Sequence, residues 1–164
     1  MVEGQALNEI LKIIAITFVP ALELRASIPF GIFSTSYTWI EVFIISIVAN
    51  IILGVFVFVI LDYFVNIVTK VPFFDKIWDL YVKKTQKRIE KGVNKYGEWA
   101  VAVFIGIPLP GSGVYTGALA SYLIGLKLKK FLIANVIGVL IAGILVTVAC
   151  LTGIEAFKIF IKNY

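Results

Sequence analysis

Between Trp99 and Leu126 the chain runs for 28 residues without a charge, yet Gly106, Pro108, Pro110, Gly111, Gly113 and Gly117 crowd its middle. As one helix the stretch would be about 42 Å long, against the roughly 30 Å hydrocarbon core of a bilayer. No continuous helix chooses those residues, because proline removes a backbone donor and glycine raises the entropic cost of ordering. A second stretch of 28 residues, Ile13 to Ile40, is interrupted in the same way by Pro20, Glu23, Arg25, Pro29 and Gly31. Each is expected to enter the membrane, turn at its Pro/Gly-rich tip and leave on the same side, as a re-entrant helical hairpin. Two kinked transmembrane helices are the plainer alternative.

Composition places the whole chain in the bilayer. With 60% hydrophobic and 15% charged residues among 164, one soluble domain would lack the polar surface to cover itself. Phe43 to Leu61 and Phe131 to Leu151 are charge-free runs of 19 and 21 residues, long enough to be ordinary transmembrane helices. The absence of histidine and the single cysteine, Cys150, exclude His/Cys zinc sites, iron–sulfur clusters and Ser-His or Cys-His catalysis. Glu23, Asp62 and Ser112 make no recognisable catalytic constellation, so the expectation is not an enzyme. No cofactor is implied; coupling to protons or sodium stays open.

Charge indicates orientation. Eight of the fifteen basic residues fall between Lys70 and Lys95, and Lys127, Lys129 and Lys130 add three more. By the positive-inside rule this is a cytoplasmic face of the plasma membrane. Residues 70–97 read as an amphipathic linker helix, with Phe74, Ile77, Trp78, Tyr81, Ile89, Val93 and Tyr96 near one face. Anionic lipid headgroups are the expected partner of its lysines, and nucleic acid is not. Glu3 and Glu9 stand where a cleaved signal would be positive, so no cleaved signal is expected.

The halves of the chain match. Phe18 aligns with Phe104 and Gly31 with Gly117 at an offset of 86, and Ala49-Asn50 aligns with Ala134-Asn135 after a one-residue gap. The expected fold is therefore all-α and integral to the membrane, a single domain over 1–164. Its first repeat is a hairpin at 5–37 and a transmembrane helix at 39–66; its second is a hairpin at 98–126 and a transmembrane helix at 131–152. One net crossing per repeat makes the second copy inverted, the architecture of secondary transporters. Non-helical backbone cannot face lipid, so a homodimer is expected to cover the tips, through the hairpin flanks or the Gly138/Gly143 face.

Glu23 and Arg25 are opposite charges deep in an apolar stretch, and each costs about 2.5–3.5 kcal/mol at a helix centre. They read either as a wet interfacial pair or as a charge site in a water-filled crevice. In Pro108-Leu109-Pro110-Gly111-Ser112-Gly113, the glycines allow backbone N–H groups to converge into an anion nest. Ser112 and Thr116 add hydroxyls, and a helix starting near Val114 would point its positive end at the tip. Such parts suit a phosphate or carboxylate headgroup. Asn50 and Asn135, equivalent in the two transmembrane helices, are expected to hydrogen-bond the broken hairpins.

Glu23-Leu24-Arg25-Ala26-Ser27-Ile28-Pro29 with Gly31, Asn50, Lys95-Tyr96-Gly97, and Pro108 to Gly113 with Tyr115-Thr116-Gly117 closely resemble the small multidrug export protein family. That family is distantly similar to the DedA/VTT superfamily, whose members include polyprenyl-phosphate translocases and lipid scramblases with two facing re-entrant hairpins. The resemblance implies a transporter or lipid translocase whose site is the two hairpin motifs. The absence of charge between Leu109 and Leu126 departs from the arginines of the DedA second hairpin. The favoured reading is translocation of an anionic amphiphile such as a phosphate-bearing lipid, held by Arg25 and the Pro110–Gly113 nest. The alternatives are a proton-coupled exporter of small cationic drugs using Glu23 and a structural membrane subunit.

Overall fold

The computed structural model describes residues 2–68, 97–109 and 112–162, all of its regular elements α-helical. The 70–97 linker, Gly97 apart, lies outside the described residues, as do Pro110 and Gly111. In chain order the helices are α1 (Val2–Thr17), α2 (Glu23–Ser34), α3 (Trp39–Val68), α4 (Gly97–Gly106), α5 (Val114–Leu123) and α6 (Leu128–Lys162).

Two of these are long and apolar enough to cross a membrane, α3 through Trp39–Tyr63 and α6 through Leu128–Gly153. The start of α3 is fixed by a reciprocal cap at Thr38 and Glu41. The Thr38 N–H donates to Glu41 Oε2 at 2.7 Å, and the Glu41 N–H donates to Thr38 Oγ at 3.4 Å. The transmembrane helix expected at 131–152 lies within α6, which is longer. The helix runs on to Lys162, because neither proline nor a crowded glycine interrupts it; Gly153 has open space around it.

The helices α3 and α6 pack antiparallel. Phe58 stacks on Phe131 with ring centroids 4.6 Å apart, Gly54 lies under the Asn135 amide, and Gly143 lies against Ile47 and Phe43. Within a bilayer, burying an aliphatic side chain gains little over lipid contact, so close approach and polar bonds hold helices together. Glycines supply the approach here. Gly138 fits against Ile105 and the Ala102 carbonyl of α4, Gly117 against Ile105, and Gly31 against Val42. Gly138 and Gly143 of α6 are both packed from within the protomer, by α4 and by α3 respectively.

Each shorter pair is a helix, a break and a helix. The open end of the first is tied by Tyr37 Oη donating to the Ala6 carbonyl at 3.2 Å and by the Ser36 N–H and hydroxyl donating to Glu9 at 3.0 and 2.8 Å. It sits at the start of α3. The second pair opens at the start of α6, where Lys130 Nζ lies 3.4 Å from Glu98.

Candidate functional site

The two breaks meet. The first, between Thr17 and Glu23, is a turn in which the Leu22 and Glu23 N–H groups donate to the Val19 carbonyl at 3.1 and 3.2 Å. Ala21 (φ 69°) and Glu23 (φ 50°) hold left-handed conformations that favour glycine, a strain of about 1–2 kcal/mol at each. Strain of this kind persists where surrounding bonds over-determine the backbone, and Glu23 has those bonds.

Its side chain, 3% exposed, reaches into the second break. The Val114 N–H donates to Glu23 Oε2 at 3.1 Å and the Tyr115 N–H to Oε1 at 3.5 Å. Gly113, which precedes α5, has no side chain to cap it, so the cap comes from a residue 91 positions away. Gly113 is also where the carboxylate comes closest. A Cβ there would stand 2.6 Å from Glu23 Oε1 and 2.8 Å from Arg25 Nη1.

Arg25 holds the other side of the junction. Its Nη2 donates to the Ile107 carbonyl and to Ser112 Oγ, each at 3.1 Å, and its Nη1 stands 3.5 Å from Glu23 Oε2. Its Nε is buried without a partner among the described residues. Ser112 is the hub of the second break: its hydroxyl faces the Ile107 and Leu109 carbonyls and accepts the Leu109 N–H at 3.2 Å. A last bond closes the junction, Tyr115 Oη donating to the Phe18 carbonyl at 2.6 Å.

Of the residues singled out in the sequence, Glu23, Arg25, Ser112 and Gly113 come together. Thr116 lies in the first turn of α5 with its hydroxyl 3.4 Å from the Gly113 carbonyl, and Pro108 sits exposed in the break. Pro29 does not mark the tip, as expected, but lies inside α2. Having no N–H, it leaves the Arg25 carbonyl without its intrahelical donor. The asparagine expectation also needs correction. Asn135 Nδ2 donates to the Ile51 carbonyl of α3 at 3.0 Å, joining the two long helices rather than supporting a hairpin. Asn50 is 1% exposed, and its Oδ1 finds no partner among the described residues.

Tyr115 is the junction residue to which the sequence reading gives no role of its own. A tyrosine beside a broken tip needs a partner for its hydroxyl when it is partly buried, and that signal was available in the sequence.

The described residues make a helical membrane protein in which polar groups gather where two helix breaks face each other. The chain belongs to the family described as "Putative small multi-drug export protein", whose model matches residues 23–145, well over half its length. The match begins at Glu23, where the first break ends, and takes in Arg25 and the second break. Comparison with curated proteins and with solved structures gave no match.

Proposed function

We propose that the chain exports amphiphiles with an anionic headgroup, and that Glu23 fills the headgroup cradle in the closed conformation. One observation carries the reading: the first N–H groups of α5 and Arg25 converge on a single carboxylate supplied by the chain itself. Both short helices begin at this point, so both positive dipole ends face it. With Glu23 neutral or withdrawn, the remaining charge is positive, and it suits a phosphate, sulfate or carboxylate. A lipid phosphate, as the DedA resemblance implies, is one such amphiphile.

The working cycle follows from the competition. A deprotonated Glu23 caps α5 and pairs with Arg25, which locks the two breaks together. Withdrawal of the carboxylate breaks both contacts, and with them its charge-assisted bonds. Arg25, with its Nε unfilled, then turns to the incoming anion.

This reading takes both helix–break–helix units as re-entrant hairpins. At 1.5 Å per residue, α2 with 12 residues and α5 with 10 rise about 18 and 15 Å, half the hydrocarbon core. Their open ends lie at the starts of antiparallel helices, which is the inverted arrangement inferred from the matching halves. The basic linker faces the cytoplasm of a plasma membrane that the chain crosses twice.

Transport in proteoliposomes tests the proposal. Glu23→Gln should still move dodecyl phosphate, while Arg25→Gln should lose at least about tenfold, as expected for one charged hydrogen-bonding group. The family's description favours drug export without giving the charge of the drug, so a cation exchanging against a proton at Glu23 is the second reading. Under it, Glu23→Gln abolishes transport of tetraphenylphosphonium and Arg25→Gln does not.

A further inference from the structure

Beside the cradle a groove of about 370 Å³ runs between α1 and α3. Ile10, Ile14 and Phe18 form one wall, and Ile44, Val48 and Ile52 stand opposite. The wall residues of α1 recur every fourth position, so they lie on one face of the helix. Every side chain in the lining is apolar, the remaining two being Ile45 and Ala49. From Ile10 to Phe18 the groove follows about 12 Å of helix.

We infer that this groove holds the single hydrocarbon tail of the exported amphiphile while its head occupies the cradle. The inference rests on the headgroup reading above and adds the shape of the substrate: one linear tail joined to one anionic group. Continuity is the first argument. Phe18 ends the groove, its carbonyl accepts the Tyr115 hydroxyl at 2.6 Å, and the Tyr115 N–H reaches Glu23. One residue thus separates the groove from the carboxylate that stands in for a headgroup.

Size is the second argument. The volume of the groove lies within the range of small-molecule sites. An extended alkyl chain is the narrow apolar occupant that fits. Its direction is fixed as well. The first helix runs from the tied open end at Ala6 towards the break at Phe18, so a tail leaving the cradle points from Phe18 back to Ile10.

The experiment uses the full-length protein in proteoliposomes with dodecyl phosphate bearing a terminal diazirine, and a butyl phosphate analogue as the short-tailed control. Photolabelling by the dodecyl probe should fall near Ile10 and Ile44, and by the butyl probe near Phe18 and Ile52. Val48→Trp and Ala49→Phe, two ways of filling the groove, should raise KM for dodecyl phosphate about tenfold more than for butyl phosphate, the loss of about two buried methylenes. Labels spread evenly over the lipid-facing sides of α3 and α6, or KM shifts equal for both phosphates, would overturn the tail site. Cross-links joining groove residues of two copies would overturn it in favour of an interface. Failure of the head reading looks different: in Arg25→Gln, groove labelling by the dodecyl probe stays at the wild-type level.

Discussion

The Glu23 carboxylate accepts the Val114 backbone N–H at 3.1 Å, so a residue opening one short helix caps the start of another 91 positions away. A cap of this kind is ordinarily made by the residue just before the helix, and its removal costs about 1 kcal/mol. Here it also joins the two breaks, and Arg25 at 3.5 Å ties the same carboxylate to Ser112 and Ile107.

Glu23→Gln should therefore destabilise the protein by about 1–2 kcal/mol. Arg25→Gln should do so by a similar amount, since it leaves the buried carboxylate without its counter-charge. The double variant should cost less than the sum of the two, because each single change strands the other partner. Thermal unfolding of all four proteins in one detergent gives the coupling. Strict additivity would show that the pair does not act as a unit.

Glycine substitutions should rank by what a methyl group meets. At Gly138 it would stand 2.7 Å from the Ala102 carbonyl, which cannot move without shifting α4, so Gly138→Ala should cost about 1–3 kcal/mol. At Gly106 the nearest atom is an Ile141 methyl at 3.1 Å, and the cost should be smaller. Gly153 is helical with open space around it, and alanine there should stabilise by up to about 1 kcal/mol. Melting temperatures in detergent read the order directly.

Much of this architecture was legible in the sequence because hydrophobic length and helix breakers are local signals. The charge-free runs after Glu41 and Lys130 are the long helices, and Val114 starts α5 as the glycine before it implies. Glu23 and Arg25 were legible as costly charges, and Ser112 as a hydroxyl in a broken tip. Their use was not. A sequence shows a helix start after a glycine and a distant carboxylate but not that the second caps the first, since that depends on how two segments dock. The same limit explains Pro29, whose place inside α2 follows from the packing of that helix on α3 at Gly31 and Ser27. It also explains Asn135, whose acceptor proved to be the Ile51 carbonyl on the neighbouring long helix.

Acid should loosen the first unit at its open end. The Ser36 N–H and hydroxyl hold the exposed Glu9 carboxylate below its ordinary pKa of about 4.3. A carboxylate with a lowered folded pKa contributes stability above the unfolded value, and the contribution is lost as pH falls through the folded value. The melting-temperature gap between wild type and Glu9→Gln should thus be constant above about pH 4.3 and close below it. A gap that persists unchanged at lower pH would mean that the Ser36 contact does not depend on the charge.

The re-entrant reading makes a prediction about sides that the number of crossings decides. Between Lys87 and Tyr164 the chain passes through α4, the second break, α5 and α6. If α4 and α5 enter and leave by one face, only α6 crosses, and the two positions lie on opposite sides of the membrane. If α4 and α5 instead form one kinked crossing, there are two passages and both positions share a side. The positive-inside rule puts the lysine-rich linker in the cytoplasm under either topology, so the test turns on the C-terminal end. A reporter inserted near Lys87 should give a cytoplasmic signal, and one fused after Tyr164 an external signal. Two cytoplasmic signals would eliminate the re-entrant hairpins, and with them the mid-membrane position assigned to Glu23 and Arg25. The short helices give the physical reason to expect the first result: rises of about 18 and 15 Å for α2 and α5 bring their ends to the middle of a bilayer and no further.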